Sequence, residues 1–136
     1  METRALGKTG LTVSALGFGC GSVGGLMVRG EAREQRETVA RALDAGVIYF
    51  DTAAAYGDGR SEENLGRTLT ALGAWDRVVV GTKTRLTPDD RADLGGAIRR
   101  SCLDSLARLG RPSVDLLQLH SPITADGAGR SLTARR

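Results

Sequence analysis

The chain has 136 residues, 40% hydrophobic and 26% charged, which is the balance of a single globular domain. Its net charge of +3 rests on Arg130, Arg135 and Arg136 in the acid-free last seven residues, so residues 1–129 are neutral overall. That argues against a basic nucleic-acid face, and five aromatic residues are too few to stack bases.

No apolar run approaches the roughly 20 residues of a membrane helix. Met1-Glu2-Thr3-Arg4 lacks the basic-then-apolar pattern of a signal peptide. Cys20 and Cys102 have no metal-site spacing and read as reduced thiols of a cytoplasmic protein.

In chain order, Arg4-Ala5-Leu6 and Leu11-Thr12-Val13 flank Gly7-Lys8-Thr9-Gly10, which predicts a hairpin. Ala15 to Cys20 is the first core strand and runs into a glycine-rich stretch. Residues 31–45 predict a helix with Val39 and Leu43 on one face, stopped by Gly46. Val47 to Phe50 is the second strand. Ser61 is the expected N-cap of the next helix, with Glu62 and Glu63 at its positive end and Leu65, Leu69 and Leu72 as its apolar stripe. Arg77 to Thr82 is the third strand. Thr87-Pro88 opens a third helix whose predicted buried face is Leu94, Ile98, Cys102, Leu106 and Leu109. Val114 to Leu119 is the fourth strand. Regular β-α alternation predicts a parallel sheet with helical crossovers, and near-continuous Val, Ile and Leu predict strands covered on both faces.

Three of these strands stop at a titratable residue. They are Asp51 after Phe50, Lys83 after Thr82 and His120 after Leu119, with Tyr56 in the loop beyond Asp51. Parallel strands bring their C-terminal ends to one face, so the four converge. Alone, Asp51 reads as a loop cap or ion-pair partner, Tyr56 as a packed aromatic, Lys83 as a solvated strand end and His120 as a satisfied polar group. Together they suit carbonyl reduction. A phenol, with a pKa near 10 when unperturbed, protonates an alkoxide at neutral pH if an ammonium beside it favours the phenolate. Asp51 would hold Lys83, and His120 would hydrogen-bond the carbonyl or relay a proton.

A rival reading is a Rossmann-type dinucleotide domain. Gly19-Cys20-Gly21-Ser22-Val23-Gly24 matches G-x-G-x-x-G, and Asp51 ends the next strand. That motif requires its helix to open inside the glycines.

The chain also resembles the aldo-keto reductase family over residues 3–122. The resemblance is carried by Phe50-Asp51-Thr52-Ala53, Tyr56-Gly57, Ser61-Glu62, Leu65-Gly66, Thr82-Lys83, Asp115 to His120, and the opening Leu6 to Ser14. It implies a (β/α)8 TIM-barrel fold reducing aldehydes and ketones with NADPH. The implied catalytic residues are Asp51, Tyr56, Lys83 and His120, with Tyr56 as acid. The implied cofactor contacts fall near Cys20 and Gly21 and at Asp51; Cys20 departs from the family's usual Thr.

A whole barrel needs about 250 residues. The expectation is therefore a truncated barrel of four parallel strands and three helices behind an N-terminal hairpin, spanning residues 1–122. A flexible tail at 123–136 would follow, its Gly/Ala/Ser/Thr/Arg content suiting a premature end or a shifted reading frame. The family's phosphate and adenine contacts come largely from later strands, so weak activity is expected. The alternative is a silent half barrel that self-associates, or pairs with a complementary fragment, through open sheet edges and an inner face expected to be apolar.

Overall fold

The hairpin forms as its turn chemistry dictates. In the computed structural model, which describes residues 1–121, β1 (Thr3–Ala5) pairs antiparallel with β2 (Thr12–Ser14). The Thr9 hydroxyl donates to the Leu6 carbonyl at 2.6 Å, and Gly7 and Gly10 take positive φ. The hairpin then docks on the start of the second core strand, where Ser14 Oγ accepts the amides of Ile48 and Tyr49 at 3.0 and 3.3 Å. It therefore sits at the N-terminal end of that strand, away from the predicted site.

The core sheet has the order β3 (Phe18–Gly19), β4 (Tyr49–Asp51), β5 (Val79–Thr84), β6 (Leu116–Leu119), all parallel. Its crossovers are α1 (Leu26–Arg29) with α2 (Ala32–Asp44), then α3 (Arg60–Ala71), then α4 (Leu94–Leu109). Among the described residues the α-helices number four rather than the expected three, because a single turn at Leu26 forms before α2. Even that turn opens beyond Gly24, with Gly25 at its cap, so the Rossmann reading fails on its own criterion.

Phe50 and Val80 project from neighbouring strands onto Val39, Leu65, Leu69 and Leu109 of the helices, and all six are buried. Burying one such side chain contributes about 1.5–3 kcal/mol. Helices α3 and α4 pack closely enough that a Cβ on Gly66 would lie 2.5 Å from the Leu109 carbonyl oxygen. That is why a glycine breaks the apolar helix face there.

Several expectations need correction. Arg60 opens α3 with Gly59 at the cap, so Ser61 lies inside the helix. The third expected helix is split. A 3-10 turn at Pro88–Ala92, closed by a Thr87–Asp90 capping box, precedes α4, whose own cap is Asp93. On α4 only Leu109 of the expected apolar face is fully buried, and Leu94 is exposed. The inner face of the sheet carries Tyr49, Asp51, Lys83 and Gln118 beside Val79 and Leu116, so it is mixed rather than uniformly apolar. The exposed apolar surface lies elsewhere, where Leu117 of the edge strand β6 meets Ile98, Cys102 and Leu103 of α4.

Among the described residues no helix is long and apolar enough to cross a membrane. The expected tail at 123–136 lies outside the described residues.

Candidate active site

Three of the four site residues are delivered by strand ends and the fourth by a loop. Asp51 closes β4, Lys83 is the next-to-last residue of β5, and His120 follows β6 directly. The His120 amide donates to the Thr84 carbonyl at 2.7 Å, continuing the β5–β6 ladder and fixing the imidazole beside Lys83. Tyr56 lies in the loop between β4 and α3, its amide donating to the Ala53 carbonyl at 3.0 Å.

The four side chains come together. Lys83 Nζ donates to Asp51 Oδ2 at 2.6 Å and to the Thr52 carbonyl at 2.8 Å. It stands 4.9 Å from the centre of the Tyr56 ring, and the imidazole of His120 meets that ring edge-on at 5.6 Å. The Lys83 side chain is 11% exposed, so its charge acts in a poorly solvated setting. An ammonium, a phenol and an imidazole thus share one mouth, and a carboxylate anchors the ammonium.

The predicted cofactor contacts divide. Gly21 faces the site: a Cβ there would touch the Tyr56 ring at 3.8 Å, so glycine keeps that flank open. Cys20 turns its side chain into the core with Met27 and Phe50. Burial, reinforced by the Asp51 carboxylate, pushes the Cys20 thiol up to about 12, with Lys83 opposing. Its amide is spent on the Asp51 carbonyl at 2.9 Å, and its carbonyl accepts the Ser61 hydroxyl, also at 2.9 Å.

Behind the mouth, two residues of α3 that read as a cap and a helix-end charge are fully buried braces. Ser61 joins the Thr52 hydroxyl at 2.8 Å, holding the residue whose carbonyl receives Lys83. Glu62 accepts from the Thr82 hydroxyl and from Arg108 Nε, the latter at 2.6 Å. Two more residues on the inner face were missed. Tyr49 donates its hydroxyl to Asp51 Oδ1 at 3.2 Å, and Gln118 reaches the same oxygen at 3.4 Å. Period-two spacing from Asp51 and His120 was the available signal for both.

His120 titrates below its ordinary value, first because it is buried and then because Lys83 and Arg85 repel its cation, with Asp51 opposing. It is the chain's one histidine, so its imidazole proton gives an isolated NMR signal. Lys83→Met is expected to raise that midpoint; an unmoved midpoint would separate the two groups in solution. The linked stability is fully present above the unfolded pKa of about 6.5 and is lost as pH falls through the lower native value.

An open parallel α/β sheet with acid–base side chains gathered at its C-terminal edge is an enzyme-like arrangement. The Aldo/keto reductase family profile matches residues 15–127. The chain is 36% identical over 127 residues to the aldo-keto reductase YhdN of Bacillus subtilis, covering 90% of this chain and 38% of that protein. It is 36% identical over 121 residues to the L-galactose dehydrogenase of Arabidopsis thaliana, covering 88% and 38%. The holo form of aldo-keto reductase AKR11C1 from Bacillus halodurans superposes with TM-score 0.72 at 30% identity, covering 90% of this chain and 41% of that one. An aldo-keto reductase from Klebsiella pneumoniae in complex with NADPH gives TM-score 0.64 at 30% identity, covering 85% and 38%.

The chain belongs to the aldo/keto reductase family, whose fold is the TIM barrel. It spans about two fifths of the length of the curated relatives it matches. Its four described parallel strands do not close into a barrel.

Proposed function

We propose that this chain carries the acid–base half of an NADPH-dependent carbonyl reductase, with Tyr56 as proton donor to an aldehyde or ketone. The observation that carries the reading is the Lys83 ammonium, held by Asp51 at 2.6 Å and standing 4.9 Å from the Tyr56 ring. Lys83 stabilises the phenolate that forms as the proton leaves, and Asp51 keeps Lys83 charged and in place. His120, held low in pKa by burial and by Lys83, is neutral at pH 7 and presents a ring nitrogen to the carbonyl oxygen. When bound, a nicotinamide cofactor supplies the hydride. The open flank at Gly21 beside Tyr56 fits the nicotinamide end of such a group, with Asp51 close by. Two unpaired cysteines suit a cytoplasmic setting.

A second reading is a silent, self-associating half barrel. It is favoured by the β6 edge, which pairs with no other strand among the described residues, and by Leu117 and Leu119, which are 36% and 44% exposed. One experiment weighs the two. NADPH is titrated into the purified chain and into Lys83→Met with cofactor fluorescence as readout, and each sample is sized by light scattering. Saturable binding that weakens in Lys83→Met is the expected result. No binding by a dimer or larger assembly would favour the second reading, and a non-binding monomer would defeat both.

A further inference from the structure

The inner face of the sheet holds a polar group that the proposed chemistry does not use. Tyr49 lies flat beneath the site, in a seat made by two glycines. A Cβ on Gly17 would lie 2.8 Å from the Tyr49 ring, and a Cβ on Gly81 would lie 2.9 Å from its hydroxyl oxygen. Any larger side chain at either position displaces the ring. The seat aims the phenol at Asp51 Oδ1, 3.2 Å away. Gln118 Nε2 closes the triangle, donating to the Tyr49 hydroxyl at 3.3 Å and to Asp51 Oδ1 at 3.4 Å.

The two oxygens of Asp51 are therefore divided. Oδ2 takes the Lys83 ammonium from the side of the mouth, and Oδ1 takes neutral donors from the floor. A carboxylate held at one oxygen alone is free to rotate about its terminal bond and swing its partner with it. Held at both, it fixes Lys83 against the Tyr56 ring.

We propose that Tyr49, with Gln118, is a positioning residue that locks the Asp51 carboxylate from below and so sets where the Lys83 ammonium stands. It touches neither substrate nor cofactor. The proposal rests on the reductase reading for its catalytic consequence, while the lock itself does not. Burial, then the Asp51 charge and the hydrogen bond to it, hold the Tyr49 phenol above its ordinary range, with Gln118 opposing, so at pH 7 it is always a donor.

The sequence contains two tyrosines, so Tyr56→Phe leaves Tyr49 as the one phenol to be followed by ultraviolet absorbance. Its midpoint is expected above about 10. Adding Asp51→Asn should lower it. So should adding Gly81→Ala, which pushes the ring off the carboxylate and keeps Asp51 intact should the first variant fold poorly. A midpoint unmoved by both would overturn the lock, and a fall in either variant supports it. The catalytic consequence is read in Tyr49→Phe, which keeps the ring in its seat and removes only the hydroxyl. There kcat should fall about tenfold with the saturation constant for NADPH unchanged, as for a displaced catalytic group. A kcat equal to that of the parent would limit Tyr49 to packing. A parent chain that neither binds NADPH nor turns over defeats the reductase reading alone, because the phenol titration needs no turnover.

Discussion

Arg108→Ala is expected to cost about 3 kcal/mol, a large fraction of the roughly 5–15 kcal/mol that holds a domain folded. The cause is the carboxylate left behind. Glu62 is 0% exposed, and in the parent its charge is met by Arg108 Nε at 2.6 Å, with the Thr82 hydroxyl as its other partner. Removing the guanidinium leaves a buried anion with one neutral donor. The penalty lies at the lower end of the range for broken buried pairs, because the Arg108 side chain is 26% exposed and water can follow it in.

The effect also spreads. Arg108 passes Gly59, where a Cβ would lie 2.5 Å from its Cδ, so the same side chain ties α4 to the start of α3. Thr82 is one residue from Lys83, so loosening Glu62 loosens the strand that presents the ammonium. Urea unfolding measures the loss as a lower midpoint with an unchanged slope. Glu62→Gln with Arg108→Met should regain most of it, because no unpaired charge remains. A loss within about 0.5 kcal/mol in Arg108→Ala would class the pair with surface ion pairs and remove its structural role.

Why this brace was invisible in the sequence is instructive. Ser61-Glu62 has the composition of any helix start, and a solvated Glu at a helix N-terminus leaves the same local signal as a buried one. What buries Glu62 is an arginine 46 residues later on a helix that packs beside it. The sheet itself was legible, because short apolar runs bounded by glycines and alternating with helical stripes admit few other arrangements. The convergence of Asp51, Lys83 and His120 was legible for the same reason: parallel topology brings strand ends together without any knowledge of side chains.

The inner face was not. Runs such as Leu116-Leu117-Gln118-Leu119 read as continuous apolar strand. In fact Gln118 and His120 face the site, while Leu117 faces α4. The period of two was present but masked by a strand only four residues long. Tyr49 was hidden similarly, because its role depends on Gly17, just before β3, and on Gly81 in β5. On α4, the expected stripe assumed that its apolar face was covered along its whole length. Leu94 and Leu103 are exposed because none of the described elements packs over them.

Tyr56→Phe is expected to reduce carbonyl-reductase kcat/KM by about 10²–10⁴-fold, the usual contribution of a positioned general acid. At about 1.36 kcal/mol per tenfold, that is about 3–5 kcal/mol of transition-state stabilisation from one hydroxyl. The ring itself does structural work, since His120 meets it edge-on at 5.6 Å and Lys83 stands over it at 4.9 Å. Phenylalanine preserves both contacts, so the variant isolates the proton. The loss should fall on kcat, because the hydroxyl is proposed to act on the alkoxide as it forms and that charge is absent from bound substrate. Lys83→Met should lower kcat as well, and should additionally raise the His120 midpoint, which Tyr56→Phe should leave unchanged because the charges that shift it are those of Lys83, Arg85 and Asp51. A Tyr56→Phe rate within about threefold of the parent would mean that the proton comes from elsewhere, because a lost general acid costs at least about a hundredfold. His120 would then be the group to replace. A parent rate no higher than background would remove the phenol from any chemistry and leave the association of the open sheet as the property to pursue.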